Sequence, residues 1–409
     1  MIGRNVWWCL LWMLNFQFLY AQKLNVSLHA ENAILINAKT GSVLFEKKAD
    51  EPTYPASTTK IAPCLYVLEH YSQSLNAVVT VKKEALASIT PQAKRDSNYR
   101  SPPHWLETDG THIGLKAGEE MTLYHLLHAA LISSANDACN SLALYCEKNV
   151  PTFMEKLNTY LKSIGCEQTN FNNPHGLHHP AHVTTARDLA SMARRGLTIP
   201  LFREIVAHPR YTCPRSNLQE ERTLLQTNLF LRNGAHFDPR VIGIKTGGTQ
   251  AAGKNLVAAA KEGDRELIAV ILGCKVRAEV YQDTKALFDA AFSQPLMRRV
   301  IMPEGPSSLS CKIKGARGKL QTMLIEAVNY DFYPAEEETV YATVTWQIPS
   351  LPIKKGTCVG TINVINDQGA VIKSGQLYAA NDVKKSIILL SIVLCLILTF
   401  IIFLVFCRR

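Results

Sequence analysis

Apolar residues are concentrated at the two ends of this 409-residue chain. The first 21 residues carry one charge, Arg4, followed by a long apolar run and Ala21, a pattern typical of a secretory signal peptide. Residues 386–406 contain no charged side chain, and at about 1.5 Å rise per residue a helix of that length spans roughly 30 Å of hydrocarbon. We therefore expect an exported protein held by one C-terminal transmembrane helix.

The chain after the signal peptide begins with two apolar runs on either side of a short polar turn. This pattern, over residues 30–48, predicts a β-hairpin whose turn contains the tripeptide KTG at 39–41. The next apolar positions recur at helical spacing and predict a helix with Ser57 at or near its N-terminus. Pro63 should bend this helix unless it falls early enough to be tolerated.

Helical periodicity continues through much of the next 150 residues. Thr122 is the predicted N-cap of an apolar helix that ends at SSAN, residues 133–136. Residues 88–113 are polar and contain prolines, which predicts a long loop. Further helices are predicted over residues 138–148, 153–164, 184–197 and 281–292, with Thr185 as the N-cap of the third.

Strand patterns dominate the rest of the chain. Apolar runs at 240–245 and 256–274 predict strands, and from about Met302 short alternating runs continue to Asp382 without a long helix. These patterns predict a small all-β domain between an α/β body and the membrane. The predicted divisions are a signal peptide at 1–21, a main domain at 26–293, an all-β domain at 300–381 and a membrane anchor at 386–406.

The net charge of +10 at pH 7 falls by one to +9 once Arg4 is removed with the signal peptide. The basic residues are scattered, which suits an anionic envelope surface or polymer. No finger motif or basic-aromatic ladder is present, so we expect no nucleic-acid partner.

Eight cysteines fall in the predicted external part: Cys64, Cys139, Cys146, Cys166, Cys213, Cys274, Cys311 and Cys358. An exported location permits disulfides, yet eight thiols allow about 105 full pairings and the sequence selects none of them. Burial as small apolar side chains is an equally good interpretation for most of them.

The candidate chemistry begins with Ser57 and Lys60, which lie one helical turn apart on the same face. A serine hydroxyl becomes a nucleophile when a base lies beside it, and a lysine is such a base only when its amine is neutral. Taken alone, the pattern is weak because most Ser-x-x-Lys pairs are solvated surface residues.

Two further motifs follow in order, Ser-Ala-Asn at 134–136 and a second KTG at 245–247. With YPASTTK, LISSANDA, FNNPHGL, TTARDLA, GIKTGGTQAAGKNLVAAA and GTINV, the chain resembles the low-molecular-mass penicillin-binding proteins, serine D-alanyl-D-alanine carboxypeptidases, over about residues 27–380. The resemblance implies an α/β (α+β) penicillin-recognising serine hydrolase fold, with an antiparallel sheet flanked by helices. In that family the functional KTG follows the other two motifs, which selects 245–247 and leaves 39–41 as a turn.

The resemblance also implies how the reacting groups act. Ser57 would attack the carbonyl of the penultimate D-alanine, and Lys60 would accept its proton. The backbone N–H groups of Ser57 and Gly248 would form the oxyanion hole. Ser134 would relay a proton to the departing D-alanine nitrogen, with Lys245 nearby.

Substrate contacts are implied in the same way. Asn136 would hydrogen-bond the substrate amide and steady Lys60, Gly247 would line the cleft, and Thr246 would hold the terminal carboxylate. Arg277 matches a family arginine near that carboxylate only after a gap. The partners implied are peptidoglycan stem peptides ending in D-Ala-D-Ala, and β-lactams that acylate the same serine.

Several positions depart from the family pattern. Gly248 stands where relatives often have a side chain, and residues 226–228 read Gln-Thr-Asn where relatives show Asn-Arg-Asn, so a cleft arginine is absent. Ala135 replaces the more usual glycine. None of these changes removes a reacting group.

The histidines offer one further interpretation, a metal site, which their spacing does not support. Four histidines cluster in NPHGLHHPAH, but the spacing is not HExxH and no acid completes a set, so we expect no metal and no cofactor.

A serine β-lactamase shares the three motifs, but no ExxxN-type element is apparent here. A catalytically inactive wall-binding protein is the third alternative. The expected location is the bacterial inner membrane, with the catalytic domain on the periplasmic, external side.

Overall fold

The computed structural model describes residues 23–386 and 396–401. The contacts divide the chain into one unit over Lys23–Gln294 and a second that begins at Pro295, whereas the sequence predicted domains over 26–293 and 300–381. The predicted signal peptide and most of the predicted membrane anchor lie outside the described residues. Among the helices of the described ranges, none combines the length and apolar character needed to cross a membrane.

The first unit is built from eleven short or medium strands and eight α-helices within residues 23–294. The strands are β1 (Asn32–Asn37), β2 (Val43–Lys47), β3 (Val78–Thr80), β4 (Ser88–Ile89), β5 (Leu106–Glu107), β6 (Glu120–Thr122), β7 (Arg210–Cys213), β8 (Arg222–Leu225), β9 (Val241–Thr249), β10 (Gly253–Glu262) and β11 (Arg265–Cys274). The helices are α1 (Ile61–His70), α2 (Pro91–Asp96), α3 (Leu123–Ile132), α4 (Asn136–Cys146), α5 (Val150–Ser163), α6 (Ala186–Leu197), α7 (Pro200–Ala207) and α8 (Arg277–Phe292).

Five of these strands form the central antiparallel sheet in the order β2-β1-β11-β10-β9. The middle strands are buried on both faces, with unbroken buried runs at 255–260 in β10 and 267–272 in β11. Alternate residues of β11, Ile268, Val270 and Leu272, join the apolar core that contains α1 and α3 to α7. Since α8 contacts β10 and β11 as well, the sheet is covered by helices, as the resemblance implied.

The predicted hairpin and the predicted N-caps of α3 and α6 are confirmed. β1 and β2 pair across the turn at 39–41, where Gly41 has a φ of +82°, a value that glycine adopts without a steric cost. The side chains of Thr122 and Thr185 accept the N–H of His125 and Asp188, and so cap α3 and α6. Pro63 is the third residue of α1, early enough for its missing N–H to be tolerated.

Other boundaries in the first unit were predicted wrongly. Residues 88–113 are not a continuous loop, because they contain β4, α2 and β5. The signal was present in the sequence, since Thr90 caps α2 through the N–H of Ala93 and Pro91 occupies its first turn. Helices α5 and α8 begin earlier than predicted, at Val150 and Arg277.

The second unit is all-β, with its own apolar core. Its strands are β12 (Met297–Met302), β13 (Gly305–Lys312), β14 (Ala316–Arg317), β15 (Lys319–Leu324), β16 (Val328–Phe332), β17 (Val340–Trp346), β18 (Cys358–Asn366), β19 (Val371–Ala379) and β20 (Lys384–Lys385). Five of them form a sheet in the order β13-β15-β19-β18-β17, and two pairs, β12-β16 and β14-β20, are separate.

Asn255 on β10 connects the sheet to the segment that precedes Ser57. Its side chain is almost fully buried, its Nδ2 donates to the carbonyls of Tyr54 and Pro55 at 2.9 and 3.0 Å, and its Oδ1 accepts the N–H of Gly273 at 2.9 Å. The amide therefore holds three backbone groups in one place.

We expect Asn255→Ala to lower the free energy of unfolding by about 2 kcal/mol, because it leaves buried backbone groups without partners. The measurement is the midpoint of urea denaturation. Lys254→Ala, at the exposed neighbouring position, is the matched control and should leave the midpoint unchanged. Equal midpoints for the two variants would show that the bridge is not structurally important.

Candidate active site

Ser57 lies in a 3-10 helix, Ala56–Lys60, that leads directly into α1. Ala56 has a φ of +48°, a left-handed backbone conformation that is uncommon outside glycine. The segment is pressed against Gly176, where a Cβ atom would lie 1.9 Å from the carbonyl oxygen of Ala56. Close backbone packing thus fixes the residue before the serine in a strained conformation, as is common at functional sites.

The Lys60 amine has three oxygen neighbours. Its Nζ lies 2.6 Å from the carbonyl oxygen of His175, 2.7 Å from Oδ1 of Asn136 and 2.9 Å from Oγ of Ser57. A neutral amine donates two hydrogen bonds and has one lone pair. Because a carbonyl oxygen only accepts and the amide oxygen is assigned the same role, the two shorter contacts take both N–H groups. The lone pair then faces the Ser57 hydroxyl.

The electrostatics of this cluster shift the Lys60 amine toward its neutral form. Lys60 is fully buried, and burial lowers its pKa from 10.5 to about 8. Lys245 is also fully buried, and its pKa lies well below the ordinary value because of burial first and the charge of Lys60 second. Ser57 is only half-buried, so solvent and substrate reach the hydroxyl while the base stays dry.

The loop that supplies the His175 carbonyl is held by its own side chains. The His175 ring is fully buried, with Nε2 donating to the carbonyl of His104 at 3.1 Å and Nδ1 accepting the N–H of Leu177 at 3.2 Å. Burial lowers the pKa of this imidazole well below its usual value, which agrees with a neutral ring. Asn173 Oδ1 accepts the N–H of Gly176 at 2.7 Å and closes the turn.

Ser134 and Asn136 lie at the connection between α3 and α4. Ser134 is buried and has a φ of +65°, and Asn136 is the first residue of α4. The N–H of Asn136 donates to the carbonyl of Thr111 at 2.9 Å. Asp137 lies in the first turn of α4, and its carboxylate accepts the N–H groups of Ile113 and Leu115 at 3.2 and 3.0 Å. The end of the 88–113 segment is therefore fastened beside Asn136.

Strand β9 brings the second KTG against the nucleophile. A Cβ atom on Gly247 would lie 2.9 Å from the Pro55 carbonyl oxygen and 3.0 Å from the backbone nitrogen of Ser57. The same atom on Gly248 would meet its neighbours at 3.4 Å or more, which is ordinary van der Waals contact. The strand can approach Ser57 this closely because residue 247 has no side chain.

Thr246, the residue before Gly247 on β9, forms a polar cluster with Thr227 and Arg277. Thr246 Oγ1 donates to Thr227 Oγ1 at 2.7 Å, and Nη2 of Arg277 donates to the Thr227 carbonyl at 3.1 Å. The structure thus brings Arg277 to the KTG strand through Thr227, which occupies the middle of the Gln-Thr-Asn run. Arg277 is exposed and Thr246 is half-buried.

The predicted residues on the three motifs therefore meet in one region, but several groups that build it were not predicted. The His175 carbonyl, Asn255 and the close approach of Gly176 all lie within stretches quoted for the family resemblance. Their spacing alone gave no reason to assign them a role, because backbone carbonyls and interstrand contacts leave no motif of their own.

The cysteines and histidines show how the other candidate features are used. The eight cysteines of the described residues are free thiols, and five of them are buried: Cys64, Cys139, Cys166, Cys213 and Cys274. In the histidine cluster, His182 Nε2 contacts Thr59 Oγ1 at 2.9 Å and its Nδ1 accepts the N–H of Asn172. Within residues 23–386 and 396–401, no group of three or more metal-binding side chains has a geometry suited to a metal ion.

This fold and the Ser-Lys site define a serine hydrolase of the penicillin-binding class. The family model for D-alanyl-D-alanine carboxypeptidase matches residues 19–276. The chain therefore belongs to the D-alanyl-D-alanine carboxypeptidase family of serine peptidases.

Individual relatives agree with this assignment. D-alanyl-D-alanine carboxypeptidase DacF of Bacillus subtilis is 29% identical over 87% of this chain and 86% of its own. D-alanyl-D-alanine carboxypeptidase DacC of Escherichia coli is 31% identical over 82% of this chain and 80% of its own. The crystal structure of penicillin binding protein 5 from Haemophilus influenzae matches 88% of this chain and 99% of its own at a TM-score of 0.60 and 23% identity, which supports the fold.

We expect Gly247→Ala to slow acylation by a β-lactam by about 10²- to 10³-fold, the effect of losing one oxyanion donor, since a Cβ there pushes β9 away from the Ser57 N–H. The measurement is the second-order rate of labelling with a fluorescent penicillin. Gly248→Ala is the matched control, and its rate should change by no more than a few-fold. Similar rates for both variants would contradict the close-approach argument.

We expect the same rate to increase about tenfold per pH unit below the Lys60 pKa and to level off above about 8, because the neutral amine is the active form. The sign follows from the lowered pKa: protonation of Lys60 as the pH falls removes the base. Lys60→Arg keeps a cation but has no basic amine at these pH values, so it should not react at any pH. A flat profile between pH 6 and 9 would rule out this role for Lys60.

Proposed function

We propose that this protein is an exported serine-type D-Ala-D-Ala carboxypeptidase that removes the terminal D-alanine from peptidoglycan stem peptides. The observation that carries the proposal is the Lys60 amine, buried and held by two carbonyl-type oxygens so that its lone pair faces Ser57. The Ser57 oxygen attacks the carbonyl carbon of the penultimate D-alanine, and its proton passes to Lys60.

The oxyanion that forms in this step needs donors that are already in place. The backbone N–H groups of Ser57 and Gly248 are assigned this role. Support comes from the close contact of Gly247 with the Ser57 nitrogen, which brings the two segments together. Such preorganised donors are worth about 10²- to 10³-fold in rate each.

Collapse of the tetrahedral intermediate breaks the C–N bond and releases D-alanine. Its nitrogen needs a proton, and Ser134 is assigned to relay it from Lys60, with Lys245 assigned to keep the cluster polarised. Both side chains are buried, which supports proton transfer without bulk water. Water then hydrolyses the ester on Ser57 and regenerates the enzyme.

The carboxylate of the terminal D-alanine is assigned to Thr246 and Arg277, and the substrate amide to Asn136. Thr246 and Arg277 both bond to Thr227, so a hydroxyl group and a cation lie beside the same residue. A carboxylate accepts from both kinds of group.

A β-lactam resembles the D-Ala-D-Ala terminus and is expected to acylate Ser57 by the same step. We also propose that residues 1–21 direct export and that residues 386–406 anchor the protein in the bacterial inner membrane, with the catalytic domain on the periplasmic side. The support for the anchor is the uncharged run of that segment, which is long enough to span the hydrocarbon.

The decisive experiment treats the detergent-purified protein with a fluorescent penicillin and, separately, with a pentapeptide ending in D-Ala-D-Ala. Stable labelling and release of free D-alanine, both abolished in Ser57→Ala, are expected. Rapid turnover of the penicillin without D-alanine release would indicate a β-lactamase instead. Absence of both reactions would indicate an inactive wall-binding protein.

A pair of neighbouring serines tests the assignment of the proton relay. Ser134→Ala should slow D-alanine release strongly. Ser133→Ala is the matched control, because the Ser133 hydroxyl donates to the carbonyl of Ala129 in the preceding helix, α3, at 2.9 Å. Equal activity of the two variants would contradict the role of Ser134.

A further inference from the structure

The second unit has eight exposed basic residues at one end of its sheet. Three chain segments meet there: the β13–β15 connection, the loop before β18 and the last strand, β20. The first segment contributes Lys312, Lys314, Arg317 and Lys319. The second contributes Lys354 and Lys355, and the third Lys384 and Lys385. We call this group of residues the basic end.

Backbone hydrogen bonds hold the three segments together. Arg317 pairs with Lys384 across β14 and β20, and Ile353 pairs with Val383. The N–H of Ser386, the first residue of the predicted anchor, donates to the carbonyl of Gly315 at 2.7 Å. The chain is thus bonded to the basic end up to the residue where the apolar segment begins.

One acidic residue accompanies these cations. Asp382 accepts the N–H of Lys355 at 2.8 Å, and this bond, followed by the charges of Lys354 and Lys384, lowers the pKa of its carboxyl group. With Asp382 ionised, the basic end still has a surplus of seven positive charges, eight minus one.

The acidic residues of the sheet lie at the opposite end. In the pairing of β13 with β15, Lys312 faces Lys319 at one end and Gly305 faces Leu324 at the other. Glu304 comes just before Gly305 and Glu326 just after Leu324, so both glutamates belong to this second end. In the pairing of β17 with β18, Val340 faces Asn366 at the end away from residues 353–356. Asn366 Nδ2 donates to Glu338 at 3.1 Å, so Glu338 also lies at that end. Within the five-stranded sheet, the basic end therefore lies away from these carboxylates. The arginines of β12, Arg298 and Arg299, are paired with Asp331 and Glu337.

We propose that the basic end docks on the anionic phospholipid headgroups of the bilayer that holds the anchor. This inference rests on the proposed membrane anchor. An anchor at 386–406 begins at Ser386, so the basic end is the part of this unit that meets the headgroups without an intervening linker. The surface potential of anionic lipids attracts Lys and Arg and extends about one Debye length, roughly 8 Å at physiological salt.

The test is lysine footprinting of the full-length protein in lipid nanodiscs. One set contains phosphatidylcholine alone and the other contains phosphatidylcholine with phosphatidylglycerol. Acetylation rates are measured at Lys312, Lys319 and Lys354 by mass spectrometry, with Lys373, an exposed lysine of β19 away from the basic end, as the internal control. We expect the three lysines, but not Lys373, to be acetylated several-fold more slowly in the anionic discs, and this protection to disappear in 1 M salt.

Two variants separate charge from folding. Lys354→Gln with Lys355→Gln should weaken the protection of Lys312 and Lys319, whereas Lys373→Gln should leave it unchanged. Protection that is equal in both kinds of disc, or confined to Lys384 and Lys385, would overturn the docking surface alone. Equal protection by soluble polyphosphate in phosphatidylcholine discs would overturn it in favour of a dissolved polyanion.

If the proposed membrane anchor is wrong, the experiment gives a different result. If the protein does not elute with discs of either composition, the anchor is wrong and the docking surface falls with it. D-alanine release is measured on the same samples and does not depend on either outcome.

Discussion

The site depends on where the Lys60 amine places its lone pair. Two oxygen acceptors, the His175 carbonyl and the Asn136 side chain, lie closer to Nζ than the Ser57 hydroxyl does. A buried amine with two fixed acceptors loses little by giving up its proton, because its remaining N–H groups stay bonded. The serine is then the only one of the three neighbours with a proton to offer. The hydrogen bonds of the Lys60 amine and its lowered pKa therefore both identify Lys60 as the base and Ser57 as the nucleophile.

Much of the fold serves to bring these acceptors together. Asn136 comes from the start of α4, His175 from a loop closed by Asn173, and Ser57 from the 3-10 helix before α1. That helix lies between two glycines, Gly176 and Gly247, each of which lets a second backbone approach within contact distance. A methyl group at either position would fall within 3 Å of a backbone atom, so the strained Ala56 conformation is maintained by packing from both sides.

Prediction from the sequence succeeded best where the role of a residue depends only on the backbone next to it. The threonine caps at 122 and 185, the turn at Gly41 and the tolerance of Pro63 follow from backbone rules that need no tertiary context. The order of the three motifs selected the KTG at 245–247, which is the one that lies beside Ser57. Contacts between distant segments escaped prediction, because nothing local to Asn255 indicates that its amide bonds to carbonyls 200 residues away. The helix α2 was missed for a different reason, since its Thr-Pro start was outweighed by the polar composition around it.

The buried cysteines bear on why Lys60 can act as a base. An anion beside the amine would stabilise the ammonium form and raise its pKa, and both Cys64 and Cys139 are close enough to do so if ionised. Burial, however, raises the pKa of Cys139 to about 11 and that of Cys64 well above its usual value. Lys60 titrates near 8, where both groups are still neutral thiols, so they contribute packing without charge. Two small apolar side chains behind the lysines thus keep the pocket dry. Desolvation is the largest cause of the lowered Lys60 pKa, and the charge of Asp137 opposes it.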